Sequence, residues 1–176
     1  MRTVRRGGEY LRVADSGWAQ PLDPTHAART GGRWNPPGSF GCVYLCASVA
    51  VARANVYRRL RDQPYGPEDL DPATAPMLIA TRVPEARYAD LVTARGLESA
   101  GLPPTYPRDS GGRRISWSRC QRVGLAAWEA GHPGLACRSA APRAPAAGRD
   151  SEELAHFDRG RRLRVRSRRR FADWFW

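Results

Sequence analysis

The sequence predicts an α+β fold rather than a helical bundle, and three observations predict it. Short apolar runs of strand length alternate with two segments whose apolar residues recur at helical spacing. The 176 residues match the size of one domain that buries its own core without a staple, so a single domain over residues 1–176 is expected. A hydrophobic fraction of 41% with six tryptophans argues against disorder, while 15 prolines and 17 glycines require many loops.

Taken in order, residues 9–13 read as a short strand, followed by a loop rich in Pro, Asp and Gly. That loop ends in Gly31-Gly32-Arg33-Trp34-Asn35-Pro36-Pro37-Gly38. Residues 41–46 (GCVYLC) form an apolar strand, and Ser48 is placed to cap a helix carrying Val49, Ala52, Val56 and Leu60 on one side. A proline-rich connection over 63–76 leads to a strand at 77–83, which Pro84 is expected to end. Residues 101–114 have loop composition. Ser116 or Ser118 then caps a helix with Trp117, Cys120, Gly124 and Ala127 along one side, stopped near Gly131. Residues 135–138 are a short strand running into Ser139, and 140–148 is a loop of small residues and prolines. Two terminal strands are expected at 153–157 and 163–168, and the apolar ending 171–176 should pack on the body or on a partner.

The net charge is +12, and all 29 basic residues are arginine. Arginine in place of lysine, with abundant Ala, Gly and Pro, is partly the imprint of a GC-rich genome. The excess positive charge still attracts polyanions, acidic partners or a small anionic substrate. Cys42, Cys46, Cys120 and Cys137 contain no CxxC pair, and only three histidines are present, so no metal is expected. Small buried thiols suit a reducing compartment. With neither an apolar leader after the basic N-terminus nor a run of membrane-spanning length, a cytoplasmic location is expected.

The loop over residues 31–38 concentrates backbone freedom, a cation, an indole and an amide. Glycine lets backbone approach a ligand closely and proline stiffens the exit, so the loop can hold Arg33 to grip a phosphate or carboxylate and Trp34 as a flat wall for a ring. A tight turn with a buried tryptophan is the competing reading.

Several residues together resemble a known family. Tyr10, Arg12 and Val13 at the start, the GGRWN loop, the Val43-Tyr44-Leu45 strand, the Ala-rich helix and a late strand ending in Ser139 are similar to the RES domain, named for Arg, Glu and Ser, over residues 9–176. The resemblance implies small mixed or antiparallel sheets with flanking helices, like those of ADP-ribosyltransferases. It also implies an NAD+-degrading toxin that transfers ADP-ribose to water, phosphate or a protein group. The implied partner is an Xre-like helix-turn-helix antitoxin, and a homodimer is a further expectation. By position, Arg33, Tyr44 and Ser139 correspond to catalytic residues, with Arg12, Gly32, Trp34 and Asn35 around the substrate. The family's helix glutamate falls on Asn55, and there is no acid between Tyr44 and Leu60.

Breaking the nicotinamide–ribose bond develops positive charge on the ribose, which a carboxylate stabilises. Asn55 retains a hydrogen-bond acceptor without that charge. Glu129, Glu152 and Glu153 are the acids that another element offers, although sequence alone supplies no geometry for them. Three readings therefore stand: an NAD+-cleaving enzyme, a binding or regulatory relative that has lost catalysis, and an arginine-rich nucleic-acid module. The last rests on eight arginines within residues 159–170. Their period-two pattern fits a half-buried edge strand better, since no aromatic interleaves them for base stacking.

Overall fold

A computed structural model describes residues 1–176. It consists of β1 (Thr3–Ala14), α1 (Thr25–Thr30), β2 (Cys42–Cys46), α2 (Val49–Leu60), β3 (Met77–Leu91), α3 (Ala94–Ser99), α4 (Trp117–Glu129), β4 (Gly134–Arg138), β5 (Glu152–Phe157), β6 (Val165–Arg169) and α5 (Phe171–Trp174). The α+β expectation holds, with all strands gathered into one six-stranded mixed sheet.

The long hairpin of β1 with β3 organises that sheet, pairing antiparallel from Thr3 opposite Ala89 to Ala14 opposite Met77. Pro84 does not end β3, contrary to the sequence expectation. The register shifts between Arg6 and Gly8, whose partners are Ala86 and Val83, so Pro84 falls in a bulge where the ladder needs no N–H from it. β1 also meets β2, and the order β1–β2–β5–β4–β3 closes back on β1 as a ring. Only β3 and β4 pair parallel. β6 hangs outside the ring on the first half of β3.

Alternation along the strands sends successive side chains to opposite faces. Tyr10, Leu45, Ile79, Tyr88 and Leu154 fill the ring, where the Arg6 guanidinium also grips Glu152 with two bonds of 2.6 and 2.7 Å. On the outer face Cys42, Leu135, Ala155 and Phe157 pack with α1, α3 and α4, while Leu11, Val13, Leu78 and Ala80 pack with α2 and α5. Phe171, Trp174 and Phe175 are buried there, so the apolar ending docks on the body. Arg53 ties it down by donating to the Trp174 and Trp176 carbonyls.

Both predicted helices form. Ser48 Oγ accepts from Val51 N at 3.2 Å, and Ser116 rather than Ser118 caps α4 by accepting from Arg119 N at 3.3 Å. Helices α1 and α3, six residues each, were not expected. α1 has no side-chain cap and lies between Pro24 and Gly31, so its sequence carries loop signals. β6 lies over 165–169 instead of 163–168, and all five residues are exposed rather than half-buried, as on a solvated edge strand. No helix is long and apolar enough to cross a membrane.

Candidate functional site

Where β1, β2, β5, α2 and the start of α4 meet the 31–38 loop, they enclose a cavity of about 280 Å3. Arg12, Gly32, Arg33, Tyr44, Asn55 and Glu153 are among its lining residues. The loop is shaped by Tyr44, whose hydroxyl accepts from Trp34 N at 2.9 Å and donates to Asn35 Oδ1 at 2.7 Å. Burial pushes the Tyr44 phenol well above its ordinary pKa, so it remains a donor at neutral pH. Asn35, fully buried, donates to the Ala27 and Phe40 carbonyls. From α4, Gln121 Nε2 donates to the Gly32 carbonyl at 2.9 Å.

Two glycines are required by this packing. A Cβ on Gly32 would lie 2.5 Å from the Tyr44 hydroxyl, and one on Gly124 would lie 1.6 Å from the Trp34 carbonyl oxygen. Loop and helix therefore touch backbone to backbone, which fixes Arg33 at the cavity wall.

Of the residues singled out by sequence, Arg12, Gly32, Arg33, Tyr44 and Asn55 converge on the cavity. Trp34 does not form its wall, contrary to expectation. It is 1% exposed in the core, with its ring 5.6 Å from that of Tyr106, because α4 covers it. Asn35 also lies outside the lining, spending its amide on bracing the loop. Ser139 lines a neighbouring cleft and reaches the cavity indirectly, donating to Glu153 Oε1 at 2.6 Å. The flat surfaces at the cavity come instead from Trp18 and Trp117, each under an arginine: Arg12 lies 5.5 Å from the Trp18 ring, and Arg33 lies 5.9 Å from that of Trp117. Trp117 is 53% exposed at the first turn of α4.

Glu153 is the residue for which sequence offered no placement. Glu152 and Glu153 are adjacent on β5, so one enters the ring to Arg6 and the other faces α2. Glu129 is exposed at the end of α4. Asn55, 8% exposed, donates from Nδ2 to Glu153 Oε1 at 3.1 Å and to the Val51 carbonyl at 3.1 Å. Both partners are acceptors, which sets the amide orientation.

Three buried polar atoms at this cavity have no hydrogen-bond partner: Arg12 Nη1, Arg33 Nε and Asn55 Oδ1. Neither Arg12 nor Arg33 forms an ion pair with a carboxylate, and burial pulls the Arg12 guanidinium below its ordinary pKa. A buried donor or acceptor without a partner costs about 1–3 kcal/mol, more if charged, so these atoms call for a ligand that is anionic and also donates a hydrogen bond. The thiols of Cys42 and Cys46 are pushed up to about 12 by burial and are not nucleophiles at neutral pH. No group of three or more His, Cys, Asp or Glu side chains is placed to hold a metal.

The sequence model of the RES domain family matches residues 9–172. Proteins named NAD(+) phosphorylase MbcT from Mycobacterium bovis and Mycobacterium tuberculosis are 36% identical over 104 residues, which is 58% of this chain and 52% of theirs. The aligned part thus spans about half the length of these curated relatives. A chain in the crystal structure of the M. tuberculosis MbcT-MbcA toxin-antitoxin complex superposes with a TM-score of 0.75 at 24% identity, covering 98% of this chain and 91% of that one.

Proposed function

The chain belongs to the RES domain family, and on that premise we propose that it binds NAD+ in the cavity beside Arg33 and breaks the nicotinamide–ribose bond. ADP-ribose then passes to inorganic phosphate or water. The observation that carries this reading is the trio of orphaned polar atoms. Two guanidinium donors suit the pyrophosphate, and one amide acceptor suits a ribose hydroxyl or the nicotinamide amide. A cavity of about 280 Å3 is at the lower limit for ligand sites, enough for the nicotinamide–ribose end of the dinucleotide.

In this reading Arg12 and Arg33 hold the pyrophosphate and Tyr44 keeps the loop, and with it Arg33, in register. Phosphate as the acceptor is favoured by the activity named for the MbcT relatives. A protein antitoxin of Xre-like helix-turn-helix type belongs to the same reading, supported by the fold shared with a chain of a toxin–antitoxin complex and by the +12 charge available to an acidic surface. A cytoplasmic location follows as well, since NAD+ is an intracellular coenzyme and all four cysteines are unpaired thiols. Loss of NAD+ on incubation with the purified protein tests the proposal. Arg33→Ala should lower kcat/KM by about 10²-fold, and wild-type protein that neither cleaves nor binds NAD+ would discard it.

A second reading, in which NAD+ is bound but not cleaved, is favoured by the family resemblance, which assigns the helix glutamate to the position of Asn55. The two readings part on whether the cavity holds another carboxylate in a usable position.

A further inference from the structure

We propose that Glu153, on strand β5, supplies the carboxylate that faces the ribose, so that the catalytic acid of this chain has moved from helix α2 to the sheet. The inference rests on the NAD+ reading above. Glu153 Oε1 lies 3.1 Å from Asn55 Nδ2, so the carboxylate occupies the space next to the position that the resemblance assigns to the family's acid. Ser139 Oγ donates to the same oxygen at 2.6 Å, and Oε2 has no partner in the chain. Both neighbours donate, which suits a carboxylate, an acceptor-only group. Glu153 is also on a rigid support: β5 lies between β2 and β4, and Glu153 pairs with Cys46 on one side and Cys137 on the other.

The exchange is reciprocal. Asn55 gives up the charge and takes on the work of orienting the acid, while its buried Oδ1 has no partner within the chain. Ser139, which does not line this cavity, gains a role as a positioning residue because its hydroxyl holds the carboxylate from the other side. In the reaction the C1′–N1 bond breaks and its electron pair stays on the nicotinamide nitrogen, which becomes neutral. The positive charge passes to the ribose C1′ and ring oxygen, where a carboxylate stabilises it. An oxygen of inorganic phosphate, or of water that loses its proton to solvent, then bonds to C1′.

Three proteins test the proposal: wild type, Glu153→Gln, and Glu153→Gln combined with Asn55→Glu. Each is assayed for NAD+ consumption with and without inorganic phosphate, for NAD+ affinity by calorimetry and for Tm. Glutamine keeps the shape and the hydrogen bonds, so Glu153→Gln should lose about 10²- to 10³-fold in kcat while binding NAD+ within about threefold of wild type. The double variant should regain at least about tenfold, because it returns a carboxylate to the same space from the helix side. Retention of kcat within about threefold by folded Glu153→Gln would overturn the proposal. Wild type that binds NAD+ without cleaving it would do the same and leave the binding site standing. Absence of binding and cleavage together would remove the NAD+ reading and this proposal with it.

Discussion

A single hydroxyl fastens the arginine loop at two points. Tyr44 is tied to the main chain at Trp34 and to the side chain of Asn35, so Tyr44→Phe leaves one backbone donor and one amide oxygen without partners. That change should cost about 1–3 kcal/mol, seen as a fall in Tm of roughly 2–4 °C per kcal/mol. An unchanged Tm would show that the loop is held by other contacts. The same residues illustrate how far side-chain chemistry can be read from sequence. Arg33 was recognisable because glycine and proline flank a lone cation, and it reaches the cavity. Trp34, its neighbour, looked equally suited to a ligand and is instead core, since which of two adjacent side chains turns inward depends on the helix that covers them.

At the scale of elements, α4 and the 31–38 loop meet at Gly124. Helix propensity alone favours Gly124→Ala by about 1 kcal/mol. The missing Cβ would stand 1.6 Å from the Trp34 carbonyl oxygen, which forces helix and loop apart. Overpacking of this kind costs about 1–3 kcal/mol, so the net effect should be destabilising, with weakened NAD+ binding as Arg33 shifts. A stabilised variant in a melting experiment would refute the close approach. Strand β5 makes the complementary point. Its two adjacent glutamates are legible as a pair on opposite faces, one inside the ring with Arg6 and one outside with Asn55 and Ser139. Which one lines the cavity follows from the pairing of β5 with β2 and β4, contacts more than a hundred residues apart in the case of β2.

Across the whole molecule, the closed ring buries a titratable pair, Tyr88 and His156, whose Oη and Nδ1 lie 2.9 Å apart. Burial lowers the His156 pKa. The unfolded chain therefore takes up the proton first as pH falls below about 6.5, and stability is fully present above that value and declines below it. Tm should drop between about pH 7.5 and 5.5. His156→Gln should reduce the slope, with the remainder owed in part to His132, which burial shifts in the same direction. An equal slope in the variant would place the titration elsewhere. Local composition and short-range spacing were enough for the α+β class, the order of loop, strand and helix at the site, the cap at Ser48, a choice between Ser116 and Ser118 for the second cap, and the family. Folding in three dimensions was needed to put Pro84 in a bulge rather than at a strand end, Trp34 in the core, and Glu153 against Asn55. Each depends on register and packing between segments far apart in the chain, where burial and pairing outweigh local preference.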